Sequence, residues 1–379
     1  MAIISTATAR FADGVYADRM RRATAEAAAR AIEALLVTPS ADYEYLLGYR
    51  APALERLTCL ILPTDGGQPT LVLPRLEEPL ARHAMGGLAD QLELVPWDET
   101  DDPFHLVSSR LGGALRIGLQ DQMWSRFVLR LRALLDPAEL VDASPAIGAV
   151  RRIKGGEEVD RLRAAAGAAD EAMRGITGER LAGRTEAQVS RRIHELLLDA
   201  GHDTAEFAIV GSGPNSASPH HEPGERVIGE GDALVLDIGG VRAGYCSDTT
   251  RTAYVGDPPP DFIALYEVLR MAQAAACDAV APGVPAREID RAARRNIDEA
   301  GYGAAFMHRT GHGIGMETHE EPYIVESNDE LLQAGHAFSV EPGIYIAGEW
   351  GARIEDIVVC SESGGERLNT NSTELFLVS

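Results

Sequence analysis

Two segments of the chain combine strand patterns with acids placed where a sheet would oppose them, and this limits the fold more than any other feature. Leu234-Val235-Leu236-Asp237-Ile238-Gly239-Gly240 is an apolar strand carrying one carboxylate, and Gly244-Tyr245-Cys246-Ser247-Asp248-Thr249-Thr250-Arg251-Thr252 is a β-prone return. Cross-strand partners in an antiparallel hairpin have residue numbers with a constant sum. A turn centred between Arg242 and Ala243 makes that sum 485 and sets Asp237 opposite Asp248, with Cβ atoms roughly 4.5 to 5.5 Å apart. The construction recurs in Phe338 to Ile346 and Arg353 to Val359, where a loop centred on Gly348 gives 696 and sets Glu341 opposite Glu355; Pro342 is a place for the pairing to bulge. Like charges opposed on an apolar hairpin destabilise it unless a cation lies between them.

Between the hairpins, His308-Arg309-Thr310-Gly311-His312-Gly313-Ile314-Gly315-Met316-Glu317-Thr318-His319 offers three histidines among glycines that permit close backbone approach. Four carboxylates with one or two imidazoles form a hard, oxygen-rich donor set suited to Mn²⁺, Co²⁺ or Zn²⁺ rather than to a thiolate metal. Four carboxylates balance two divalent cations, and ions about 3.5 to 4 Å apart sharing a hydroxide are the usual arrangement for metal-assisted hydrolysis. One acid at a strand end is ordinarily a turn or cap residue. Two mirrored pairs beside a His cluster point to metal.

Composition narrows the remaining classes. The 379 residues suggest two or three domains, and 45% hydrophobic with 25% charged is a core-forming mixture. Against 58 acids stand 35 basic residues, a net charge of −23, which disfavours nucleic acid and anionic membrane surfaces as partners. All but one of the basic residues are arginine; Lys154 is the sole lysine. No phosphate-binding G-x-x-x-x-G-K-[ST] loop exists, and Schiff-base chemistry would have to run through Lys154. Cys59, Cys246, Cys277 and Cys360 form no C-x-x-C pair and read as buried thiols of a reducing compartment. Met1 to Arg10 lacks a sustained apolar region, and no stretch approaches the roughly 20 apolar residues of a membrane span, so a cytoplasmic location is expected.

The first third alternates helical and strand patterns: a helix over Asp18 to Leu36, a hairpin turning at Asp65-Gly66-Gly67, strands at Leu92 to Val95 and Arg116 to Gly118, and a helix over Trp124 to Leu135. These predict an N-terminal α/β domain over residues 1–148 and a second, α+β domain over 149–379. Arg151, Arg152 and Lys154 at the junction read as a solvated helix start. Within the second domain, Gly183 to Gly201 aligns with Gly283 to Gly301 at an offset of 100, each a helix stopped by glycine, the first with a Thr185/Gln188 capping box. Two such units facing each other would form a cleft.

The combination is specific. Asp237, then Asp248 inside Tyr-x-Ser-Asp-x-Thr-Arg-Thr, Gly311-His312-Gly313-Ile314-Gly315 with His319 seven residues after His312, Glu341-Pro342-Gly343 and Arg353-Ile354-Glu355-Asp356 together resemble the pita-bread metallopeptidases. The match runs from about Arg151 to the C-terminus. The N-terminal domain, with Tyr45-Leu46-Leu47-Gly48-Tyr49 similar to a Tyr-Leu-x-Gly pattern, resembles the proline-specific branch, Xaa-Pro dipeptidase (prolidase) and aminopeptidase P. The resemblance implies a pita-bread catalytic domain with a pseudo-twofold repeat and two divalent ions, manganese first and cobalt or zinc next. As metal ligands it implies Asp237, Asp248, His312, Glu341 and Glu355. His220, after Pro219, and His319 match its active-site histidines; His308, Tyr345 and Arg353 match residues lining the substrate pocket, and Arg50 in the N-terminal domain is a further candidate contact.

The reaction implied is attack of a metal-bridging hydroxide on the carbonyl preceding proline, with His220 and His319 steadying the oxyanion and Glu341 passing a proton to the imide nitrogen. Arg353 is expected to grip the carboxylate of a proline dipeptide. The substrate is a small peptide with proline second, and a homodimer is expected. Moderate length favours a dipeptidase, with Asp42 to Arg50 as a barrier loop beyond proline. The alternatives are aminopeptidase P acting on longer peptides, a metal-free creatinase-like hydrolase, and a binding module derived from a peptidase.

Overall fold

A computed structural model describes residues 10–379; the expectation for Met1 to Arg10 lies, except for Arg10, outside them. The chain divides into two compact units between Arg151 and Arg152. The first contains α1 (Asp13–Ala29), β1 (Ala34–Val37), α2 (Ala41–Leu47), β2 (Cys59–Pro63), β3 (Thr70–Pro74), α3 (Glu78–Met85), β4 (Glu93–Trp97), α4 (Pro103–Arg110), β5 (Arg116–Leu119), α5 (Ser125–Leu135), β6 (Glu139–Asp142) and α6 (Ser144–Arg151). Its mixed sheet has the order β4-β3-β2-β1-β5-β6. The helix expected over Asp18 to Leu36 stops at Ala29, and Leu35 and Leu36 belong to β1. Ala31 takes a left-handed φ of 56°. The following Ala-Leu-Leu-Val run is buried throughout, as a central strand covered on both faces requires.

Of Asp42 to Arg50, expected as a loop, residues 42–47 lie in a helix and Gly48, Tyr49 and Arg50 follow it without regular structure. Ser40 caps α2 by accepting the N–H of Tyr43, and Gly48 ends it with a φ of 62°. Asp42, Tyr43, Tyr45, Leu46, Leu47 and Tyr49 are buried, leaving Arg50 exposed. The junction residues are not solvated either. Arg151 pairs with Asp42 at 2.6 Å, Arg152 with Glu330 at 2.7 Å, and the buried ammonium of Lys154 with Glu320. A run of charges beside glycines reads as surface; only tertiary partners reveal otherwise.

The second unit contains α7 (Gly156–Thr177), α8 (Glu186–Asp199), β7 (Thr204–Ser212), β8 (Ala233–Arg242), β9 (Tyr245–Val255), α9 (Pro260–Asp278), α10 (Ala286–Glu299), β10 (Gly311–Gly313), β11 (Glu320–Ile324), β12 (Ala337–Val340), β13 (Gly343–Ile346), β14 (Trp350–Arg353), β15 (Asp356–Ser361), β16 (Gly364–Arg367) and β17 (Phe376–Val378). The strands form sheets β17-β9-β8-β7, β11-β10-β12-β15-β16 and the pair β13-β14. The repeat is visible in three dimensions. Helices α8 and α10 have 14 residues each, both stop before a glycine of positive φ, and each is entered through a glycine of positive φ. Gly183 and Gly283 donate to the carbonyls of Ile228 and Leu332, and Glu186 and Ala286 to those of Arg226 and Glu330. One half packs α7 and α8 on β8 and β9, the other α9 and α10 on β12 and β15, each around its own apolar cluster. Among the described residues no helix is long and apolar enough to cross a membrane.

Candidate metal centre

Strand β8 turns Leu234, Leu236 and Ile238 into the apolar cluster beneath α7 and α8, so Asp237 lies on the opposite face. Its partner register differs from expectation. Ala243 and Gly244 both adopt positive φ, 51° and 79°, and form the two-residue turn themselves. The sum is therefore 487, with Asp237 opposite Thr250 and Asp248 opposite Gly239. A shift of two preserves the face, so the carboxylates are diagonal neighbours on one side of the ribbon.

The second register holds at 696 on both sides of an interruption. Val340 pairs with Asp356 and Gly343 with Arg353; Glu341, Pro342, Ile354 and Glu355 fall between the two ladders. The interruption frees the acids' backbone for other strands. The Glu341 N–H donates to the Thr310 carbonyl at 2.7 Å, and that of Glu355 to the Thr250 carbonyl on β9 at 3.1 Å. In this way Glu355 is carried to the first hairpin's acids.

These residues meet in a cavity of about 590 Å³. Asp237, Asp248, His312, Glu341, Glu355, Arg353, His220, His308 and His319 all line it. Asp248, His312 and Glu355 each place a donor atom within 4.8 Å of the others'. Among the described residues, Asp237 Oδ1 and Glu355 Oε1 are buried without a hydrogen-bond partner. His312 Nδ1 lies 3.1 Å from the Gly313 carbonyl, which can only accept, so this nitrogen carries a proton. Nε2 then faces Glu341 Oε1 at 3.2 Å and Asp248 Oδ2 at 3.7 Å. Without a cation Nε2 stabilises the ionised Glu341 only by donating a proton to it, and with a cation among the carboxylates it turns its lone pair to the metal instead. Burial, then Glu355, Asp237 and Glu341, push the Asp248 carboxyl well above its usual range; burial, then Glu341 and Asp237, do the same to Glu355. Burial opposes ionisation of Glu341 too, but His312 holds it down at about 2. Buried acids that cannot all ionise together, with unused oxygens, fit a divalent cation centre.

Arg353 is engaged more fully than a free substrate grip would be. Its Nη2 donates to Asp237 Oδ2 at 2.6 Å, Nη1 to the Tyr345 hydroxyl at 2.8 Å and Nε to Thr250 Oγ1 at 3.1 Å. Tyr345, with its phenol pushed up to about 12 chiefly by burial, sits 2.9 Å from His308 Nε2, while His308 Nδ1 lies 2.7 Å from the Arg309 carbonyl. The carbonyl fixes the direction of the chain: Nδ1 donates, Nε2 accepts from Tyr345, and the Tyr345 oxygen accepts from Arg353. Burial lowers the His308 pKa, keeping the ring neutral. Both ring nitrogens of His308 are thus used within the protein. His319, exposed at the cavity, crosses the His312 ring at 4.0 Å between centroids and 63°. His220 is also exposed, whereas its neighbour His221 is tied to Glu186 at 2.7 Å. Arg50 stands in the first unit, 3.9 Å from Glu44.

Sequence reasoning missed the scaffold behind the acids. Arg251, wholly buried, pairs with Asp356 at 2.6 Å and donates to the Glu355 carbonyl at 2.7 Å, and Thr250 Oγ1 donates to Glu355 Oε2 at 2.7 Å. The available signal was an arginine inside a long strand pattern, which requires a buried partner.

Comparison with known proteins agrees with this geometry. Residues 160–362 match the model of metallopeptidase family M24, and residues 19–153 that of the creatinase/prolidase N-terminal domain. A probable dipeptidase PepE of Mycobacterium tuberculosis is 44% identical over 372 residues, covering 97% of this chain and 98% of its own. The crystal structure of dipeptidase PepE from Mycobacterium ulcerans superposes with a TM-score of 0.92 at 44% identity, covering 97% and 99% of the two chains. A prolidase from Thermococcus sibiricus superposes at 0.88 with 35% identity over 96% and 99%. The two helix-on-sheet halves, the carboxylate-lined cavity and these matches make the chain a member of metallopeptidase family M24, with a pita-bread catalytic unit that follows a creatinase/prolidase N-terminal domain in the sequence.

Proposed function

We propose that this protein is an Xaa-Pro dipeptidase working with two divalent ions, manganese first. The observation that carries the reading is the convergence of four carboxylates and the His312 imidazole on one cavity, with two buried carboxylate oxygens lacking partners. The dipeptidase and prolidase names of its relatives support the substrate class.

In this reading Asp237 and Asp248 would hold one ion, His312 and Glu341 the other, with Asp248 and Glu355 shared. Bound ions supply an activated water and polarise the scissile carbonyl. Arg353 occupies Asp237 Oδ2 and leaves Oδ1 for the centre, so its first task is to orient that ligand. The Arg353–Tyr345–His308 chain holds the guanidinium in place. His220 and His319, both reaching the cavity, steady the oxyanion that develops at the carbonyl oxygen. Glu341, which accepts from Ser339 Oγ at 3.2 Å, would take the proton released by the attacking water and pass it to the proline nitrogen as it leaves. That nitrogen carries no N–H, so selection falls on ring shape and on the dipeptide's carboxylate. With Arg353 committed, Arg309, a cavity-lining residue whose guanidinium stacks at 4.3 Å over Tyr323, is proposed for the carboxylate, and Arg50 as a further contact. A homodimer and a cytosolic location complete the proposal, the latter in keeping with four buried free thiols.

The test is metal analysis of the purified protein combined with rates on Xaa-Pro dipeptides and on Xaa-Pro-Yaa-Yaa peptides. Two ions per chain and fast turnover of dipeptides alone are expected. Rapid cleavage of the longer peptides would place the protein with aminopeptidase P instead, and unchanged turnover after complete metal removal would overturn the metal reading.

A further inference from the structure

The chain's sole lysine is among its most deeply buried charges. The Lys154 side chain is 1% exposed and its ammonium pairs with the Glu320 carboxylate, itself 9% exposed. Both ends of the contact are fixed. The Lys154 N–H donates to the Gly335 carbonyl at 2.8 Å, and Ile153 bridges His336. Glu320 opens β11 opposite Gly313, the residue after His312, and directly follows His319. The intervening residues 315–319 have no regular secondary structure. The pair lies over Gly315, where a Cβ would approach Lys154 Cε to 3.0 Å. A slender alkyl stem passes there.

We propose that Lys154 is a positioning residue for His319. Its ammonium holds Glu320, and through Glu320 it fixes the end of the 315–319 segment so that the His319 ring stays crossed over His312. Charge alone does not define the requirement. A planar guanidinium is broader than an ammonium, and beside Gly315 the bulk matters. In a chain whose other basic residues are all arginine, this is the place where arginine does not fit.

The proposal rests on the reading of His319 as a group that meets the substrate, and a mutant cycle separates the two. With manganese-loaded protein and an Xaa-Pro dipeptide, K154M is expected to lower kcat by about 10- to 100-fold, the range for a misplaced active-site group, with KM and bound metal per chain little changed. K154R is expected not to restore kcat. In an H319A background, K154M should change kcat by less than roughly threefold, because the group it positions is gone. An equal fall in both backgrounds, full rescue by arginine, or loss of metal on K154M would overturn the proposal. A wild-type kcat for H319A would instead remove the reading of His319. The double variant K154M/E320Q, which leaves no buried charge unpaired, carries the same cycle if K154M does not fold.

Discussion

His336 shows how one buried side chain ties stability to pH. It is wholly buried, Nδ1 accepts the Gln333 N–H at 3.2 Å, and Nε2 has no hydrogen-bond partner among the described residues. Burial, reinforced by Lys154 and Arg152 and opposed by Glu330, lowers its pKa to about 4. An unfolded histidine titrates near 6.5, so between about 6.5 and 4 the unfolded chain binds the extra proton. Stability therefore falls as pH drops through that window, by up to roughly 3 kcal/mol from this one group. Denaturant midpoints at pH 7 and pH 4.5 should differ less in H336Q than in the wild type; an unchanged difference would assign the acid sensitivity elsewhere. Lys154, close by, illustrates the limit of reading residues locally. Its sequence neighbours are charges and glycines, and its partner lies 166 positions away, so nothing nearby announced its burial.

The two hairpins differ in how openly their sequences declared their registers. Gly348, with a φ of 82°, centred the second turn where expected, and 696 held across the interruption at Pro342. In the first hairpin Ala243 stands at a left-handed position that normally takes Gly, Asn or Asp, which hid the turn and displaced the expected register by two. The displaced register still left both acids on one face, because strand geometry repeats every two residues. The same alanine yields a prediction. A243G should stabilise the protein by about 1 kcal/mol by removing left-handed strain, and G244A should destabilise it by about as much. Equilibrium unfolding would show this, and a destabilised A243G would refute the assignment of strain. Sequence also gave the α8 and α10 boundaries through their glycines, whereas β1 was lost inside a helical pattern because a short apolar run has no period of its own. The Arg251–Asp356 pair, joining elements 105 residues apart, belongs to packing that no single element contains.

At the scale of the whole molecule, 58 acids against 35 basic residues give −23, and two divalent ions would bring it to −19. That change is small for the surface and large for the cavity, where four of the acids meet. Chelation should therefore lower the melting temperature, and manganese should raise it with concentration, adding about 2.7 kcal/mol at a hundredfold excess over Kd. A melting temperature indifferent to both would remove the cation from the fold's stability. The surface has a different consequence. Because the only lysine is enclosed, the folded protein offers amine-directed reagents no side-chain amine: acylating cross-linkers, biotin esters and enzymes that conjugate through isopeptide bonds would find no lysine on it. Slow reaction at Lys154 under native conditions would then report opening of its pocket, making the residue a built-in probe of local unfolding around the centre.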